Sequence, residues 1–202
     1  DILRAQISTN MMRQGDDTFQ IVCVDGSYVY SRLGTYPDGT YLLHYGCRLT
    51  LSGKGASVNT DFFEFTPVRG KGNGESLARE GCRFREEDIV VADRAYTSAR
   101  GIKSVLDAKA DFILRIGLSA LTLSRTADGK KRVNLAELVA EMNLEENETG
   151  EIEVWMKMPN NTWQKVRICT LRKTEAEKEE AVENYKKEIK NKKKRKYKIS
   201  QE

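Results

Sequence analysis

No stretch of the 202-residue sequence approaches the roughly 18 apolar residues of a membrane span. No positively charged start precedes an apolar run, so no signal peptide is read. The chain begins with Asp1 rather than Met and reads as a fragment. Its four cysteines, Cys23, Cys47, Cys82 and Cys169, include no CxxC pair, which argues against a disulfide framework or a zinc site and fits a reducing cytoplasm. Cys23, inside an apolar run, is expected as a small buried hydrophobe. His44 is the single histidine, too little for a histidine metal cluster, and is expected to face solvent or pack in a sheet. The Gly-rich stretch RGKGNGES at 69–76 lacks the spacing and the Lys-Ser/Thr pair of a phosphate loop, and is read as a connector with Lys71 as a candidate DNA contact. No helix-turn-helix pattern is found.

What is present is charge, unevenly placed. Apolar residues make up 39% and charged residues 32%, a balance that suggests a globular core with a solvated segment. The net charge is only +4, but residues 186–198 hold nine Lys or Arg against one Glu, a local net of +8. Such a run, with Lys192, Lys193, Lys194 and Arg195 at its centre, can neutralise phosphates and release counterions, although charge runs are commonly solvated linkers.

Periodicity gives an order of elements. TFQIVCVDG reads as a buried strand ending at an acid. A Pro-Asp-Gly turn and two further β-branched and aromatic runs extend it to three hairpin-linked strands. ESLAREGCRF reads as a short helix, EDIVVADRAY as a strand ending at an acid, and TSARGIKSVLDAKA as a helix capped by Thr97 or Ser98. DFILRIG is a fifth strand, NLAELVAEMN a helix capped by Asn134, and 151–172 a hairpin. Trp155 and Trp163 flank its turn and are read as packing a hairpin face or stacking on DNA bases. The order β-β-β-α-β-α-β implies an α/β fold of mixed α+β character, a mixed sheet with helices packed on it.

Two strands end alike: IVCVDGS at Asp25 and IVVADRA at Asp93. If they lie side by side, two carboxylates emerge at one sheet edge, where magnesium or manganese, which prefer oxygen ligands, can bind. Local readings compete. Asp-Gly is a strong hairpin turn signal, so Asp25 can be a turn residue. Asp93 can cap the next helix or pair with Arg94.

The stretches VCVDGSYV and DIVVADRAYTSARGIKSVLDAKADFILRIG resemble the catalytic core of DDE-type bacterial transposases, within them the insertion-sequence-four family. The resemblance spans roughly 19–172. It implies a ribonuclease H-like fold: a mixed five-stranded sheet with flanking helices and a β-hairpin insertion, which 151–172 matches. It implies that Asp25 and Asp93 are the first two acids of a catalytic triad holding two Mg2+ or Mn2+ ions. The activity implied is metal-dependent phosphodiester cleavage and strand transfer on DNA. Partners would be transposon ends and target DNA, with a DNA-bound dimer, no membrane, and a cytoplasmic, nucleoid-associated location.

Arg94 and Tyr96 are candidates for contact with DNA phosphate or for orienting Asp93, and Arg115 is a candidate DNA contact, with a salt bridge, a packed aromatic and a surface arginine as their alternatives. The third family acid, a Glu in a pattern such as YxxRWxIE, has no counterpart, and Glu202 after the basic run is not a candidate. The isolated chain is therefore expected to bind metal weakly and not to catalyse. The expected layout is a lead-in at 1–18, a catalytic core at 19–132, a helix with a β-rich insertion at 133–173 and a charged, basic linker at 174–202. The alternatives are a related nuclease that only hydrolyses DNA, a non-catalytic DNA-binding remnant, and a β-rich binding module in which Asp25 is only a turn.

Overall fold

The computed structural model describes residues 19–30, 40–52, 55–67, 74–184 and 186–187. The chain divides into two compact units, Asp1–Thr122 with Met156–Gln164, and Leu123–Trp155 with Lys165–Glu202.

In the first unit the apolar runs pair into one sheet. Strands β1 (Phe19–Tyr30), β2 (Thr40–Ser52) and β3 (Gly55–Pro67) form an antiparallel meander. Strands β4 (Asp88–Ala92) and β5 (Asp111–Leu114) add in parallel on the other side of β1, giving the order β3-β2-β1-β4-β5. Side chains alternate between the two faces of a strand. Val22, Val24, Val90 and Ala92 enter the core together with Leu77, Tyr96, Val105 and Ala110. Each fully buried valine of this set contributes about 1.5–3 kcal/mol.

Two features of the sheet follow from side-chain size and charge. The register between β2 and β3 shifts between Gly46 and Cys47. A Cβ on Gly46 would lie 2.2 Å from the Phe62 ring, so the ring can lie over this position only because it is glycine. Two residues along β2, Arg48 is 5% exposed, and Asp88 at the start of β4 is 1% exposed. The guanidinium donates to Asp88, to both oxygens of Asp61 at 3.1 Å each, and to Gln20 at 2.8 Å. Asp88 also accepts from the Arg85 amide at 2.7 Å. A network joining β1, β2, β3 and β4 thereby satisfies the buried charges.

Helix α1 (Ala99–Asp107) starts at Ser98, whose hydroxyl accepts from the Gly101 amide at 3.1 Å, and it buries Ile102 and Val105. The short helix expected at 75–84 is absent: the segment forms turns. Ser76 Oγ accepts from the Ala78 amide, and Arg79 donates to Glu64 and to the Gly74 carbonyl. Local side-chain bonds of this kind compete with a helical ladder, and Leu77 still reaches the core.

The second sheet has the order β7-β6-β8-β9. The hairpin strands are β8 (Thr149–Lys157) and β9 (Trp163–Leu171), and β6 (Leu123–Ser124) and β7 (Arg132–Val133) are too short to be seen in the sequence pattern. Both tryptophans are half-buried. Helix α2 (Leu135–Glu141) carries the expected cap as a reciprocal pair: Asn134 accepts from the Glu137 amide at 2.8 Å, and Glu137 reaches back to the Asn134 amide at 3.5 Å. Asn134→Ala is expected to lower stability by about 1 kcal/mol, read from the urea midpoint. Residues 175–184 are helical.

Candidate functional site

The parallel register of β1 on β4 sets the site. Val24 pairs with Ala92, the last residue of β4, so Asp25 and Asp93 are the next residues on two neighbouring strands. Ala92 in turn pairs with Leu114, so Arg115 follows the end of β5 in the same row. Ligands of open α/β sheets gather outside the carboxyl ends of parallel strands, especially where the sheet changes direction. Here β1 separates the antiparallel from the parallel part of the sheet. It continues to Tyr30 while β4 stops at Ala92, so the fork between them opens at Asp25.

Asp25 is not a hairpin turn. It lies inside β1 opposite Tyr45, and Gly26 lies opposite His44. The side chain is exposed, with Oδ1 accepting from the Gly26 amide at 2.8 Å and Oδ2 from the Tyr45 hydroxyl at 3.1 Å. That bond to Asp25 holds the Tyr45 phenol above its usual pKa. Asp93 is exposed and caps the 3-10 turn Arg94–Tyr96, accepting from the Arg94 amide. Its capping role coexists with its place at the strand end, because each carboxylate oxygen has further lone pairs to offer.

A third acid, Glu75, escaped the sequence reading. A Cβ on Gly26 would lie 2.8 Å from Glu75 Oε1 and 3.0 Å from the Tyr96 hydroxyl. Glu75 therefore approaches β1 at Gly26, on the face that also carries Val24, while Asp25 projects to the opposite face. Burial first, then the charges of Asp93 and Asp25, raise the Glu75 carboxyl above its usual pKa. A raised carboxyl favours folding while protonated, and that contribution is lost as pH rises through the folded-state value. Glu75→Gln is thus expected to raise the urea midpoint at neutral pH and to leave it unchanged well below the carboxylate range. The signal for Glu75 is tertiary: nothing in the Gly-rich stretch around it marks an acid site.

Behind Glu75 lies a buried polar chain. His44 is fully buried, with Nε2 2.9 Å from the Thr66 hydroxyl and Nδ1 3.4 Å from the Tyr96 hydroxyl. Burial, followed by the charges of Glu75 and Asp25, pushes the Tyr96 phenol far up. Tyr96 is 1% exposed, so it offers no surface to a phosphate, and the packed aromatic describes it rather than the DNA contact. Arg94 and Arg115 are exposed; Arg115 holds its place through its carbonyl, which accepts from Thr97 Oγ1 at 2.6 Å. Lys71, Lys192, Lys193, Lys194 and Arg195 lie outside the described residues.

The side chains of Asp25 and Asp93 offer exposed oxygen donors, the ligand type that a hard divalent cation takes. Among the described residues no three His, Cys, Asp or Glu side chains are arranged to hold a metal ion, so Glu75 does not complete a ligand set with the pair. Within the described residues no helix is long and apolar enough to cross a membrane. Comparison of the chain with models of protein families, with curated proteins and with solved structures finds no match in any of the three.

Proposed function

We propose that this chain is the catalytic core of a DDE-type DNA transposase, similar to the insertion-sequence-four family, with Asp25 and Asp93 as its first two metal-binding acids. The observation that carries the reading is the pairing of Val24 with Ala92, after which the two acids follow side by side where the parallel β1–β4 pairing ends. The mixed sheet, in the order β3-β2-β1-β4-β5 with α1 after β4, supports a ribonuclease H-like fold.

In this reading Asp25 and Asp93 hold Mg2+ or Mn2+, two ions in the complete site. When bound, such ions polarise a phosphodiester and lower the pKa of water or of a 3′-hydroxyl that attacks it. The chain's own residues supply position and charge. Tyr45 and the Gly26 amide fix the rotamer of Asp25, and the Arg94 amide fixes that of Asp93. Arg115, one strand over, offers a cation for the DNA backbone in the same row. The partners are transposon ends and target DNA, bound as a dimer, in the cytoplasm at the nucleoid. The third acid has no matching motif in this sequence, so the isolated chain binds cations weakly and does not turn over.

The test is an assay of the intact gene product on DNA carrying its transposon ends, in Mg2+. Joined strand-transfer products are expected. Nicked or cut DNA without joining would point instead to a hydrolytic nuclease, and binding without any cleavage to a non-catalytic remnant.

A further inference from the structure

Cys23 on β1 and Cys47 on β2 are direct partners in the antiparallel register. Residues so placed share a sheet face, with Cα atoms about 4.5–5.5 Å apart. A disulfide spans Cα separations of roughly 4.4–6.8 Å, so this pair needs no backbone shift to close. Cys23 is exposed and Cys47 half-buried, and both are free thiols. The next pair on the same face is Asp25 with Tyr45. Cys23 thus does not pack as the buried hydrophobe its apolar run suggests; strand alternation buries Val22 and Val24 and turns Cys23 outward.

We propose that Cys23 and Cys47 are a reversible dithiol–disulfide pair, a modification site that cross-links β1 to β2 beside Asp25 and takes low-molecular-weight disulfides as its oxidant. In the first step the Cys23 thiolate attacks a reagent such as oxidised glutathione. The reagent's S–S bond breaks, a mixed disulfide forms on Cys23 and one reagent thiol leaves. The Cys47 thiolate then attacks the Cys23 sulfur, which closes the cross-strand bond and releases the second reagent thiol. Two protein thiols are oxidised, one reagent disulfide is reduced, and the two protons end on the released thiols. Cytosolic disulfides of this kind are characteristically transient and redox-sensing. The pair stands on the β1–β2 register alone and does not depend on the cation site.

The experiment treats the folded chain with oxidised glutathione and reads intact mass, thiol alkylation and non-reducing peptide maps. Cys82 serves as an internal control, since burial pushes its thiol up to about 11 and keeps it unreactive at neutral pH. With Cys169, which is also exposed, replaced by serine in every sample, the expected product is a monomer that has lost two hydrogens, with Cys23 and Cys47 linked and protected from alkylation, and both restored by dithiothreitol. In Cys47→Ser the glutathione adduct should persist on Cys23. A stable adduct on Cys23 in the chain that keeps Cys47, a disulfide-linked dimer, or no oxidation when the urea-unfolded chain does oxidise would each overturn the proposal.

Discussion

Asp25→Asn or Asp93→Asn in the intact gene product is expected to reduce Mg2+-dependent DNA cleavage by on the order of a thousandfold or more, the scale on which losing one member of an interdependent catalytic set registers. The substitution removes the charge that a hard cation requires and leaves the shape. At position 25 an asparagine keeps one oxygen for the Gly26 amide and gives up the bond from Tyr45. At position 93 it remains a good cap for the turn that follows, because Asn and Asp are equivalent in that role. Both sites are exposed, so the change in folding stability should stay within about 1 kcal/mol. Activity and stability therefore separate: circular dichroism and urea midpoints near those of the unsubstituted protein, with cleavage lost. Near-normal cleavage in either variant would sink the assignment of that residue.

The largest effect on stability is expected at Arg48 on β2, the centre of the buried ion network. Arg48→Ala should cost about 3–5 kcal/mol, because it leaves Asp88 and Asp61 charged, buried or nearly so, and without their cation. Against a total stability of about 5–15 kcal/mol for a domain, that is enough to unfold a marginal one. Arg48→Met with Asp88→Asn and Asp61→Asn tests the cause. Removing the charges together should recover much of the loss, since replacing a whole buried ion cluster is often close to neutral. Urea denaturation of the single and triple variants decides the matter. An Arg48→Ala midpoint close to that of the unsubstituted chain would show that the network contributes little.

These expectations differ in how far the residues alone disclosed them. The strands of the first sheet and the hairpin β8–β9 are visible as alternating or apolar runs bounded by turn residues, and Ser98 and Asn134 are visible as caps. All of these are decided within a few residues. Asp25 illustrates the limit of local signals. Asp-Gly favours a tight turn, but pairing with β2, where Asp25 lies opposite Tyr45 and Gly26 opposite His44, holds both residues inside β1. Cys23 shows the same limit, because an apolar run does not say whether both sheet faces are covered. The expected helix at 75–84 yields to the side-chain bonds of Ser76 and Arg79. Tyr96 and His44 have no local mark of burial; the hydrogen bonds that tolerate it come from β2, β3 and the turn after β4. Glu75 is silent in the sequence for the same reason, since only the fold brings it to Gly26.

The proposal of a cation shared by Asp25 and Asp93 is tested most directly by titrating Mn2+ into isotope-labelled chain and following paramagnetic broadening of backbone amide signals. Weak binding is sufficient, because the ion needs only transient residence near an amide to broaden it. Broadening should begin at Asp25, Gly26, Asp93 and Arg94, the residues at and just after the paired strand ends, and should disappear in the Asp25→Asn, Asp93→Asn double variant. Broadening that begins elsewhere, or that survives in the double variant, would contradict a cation held between Asp25 and Asp93.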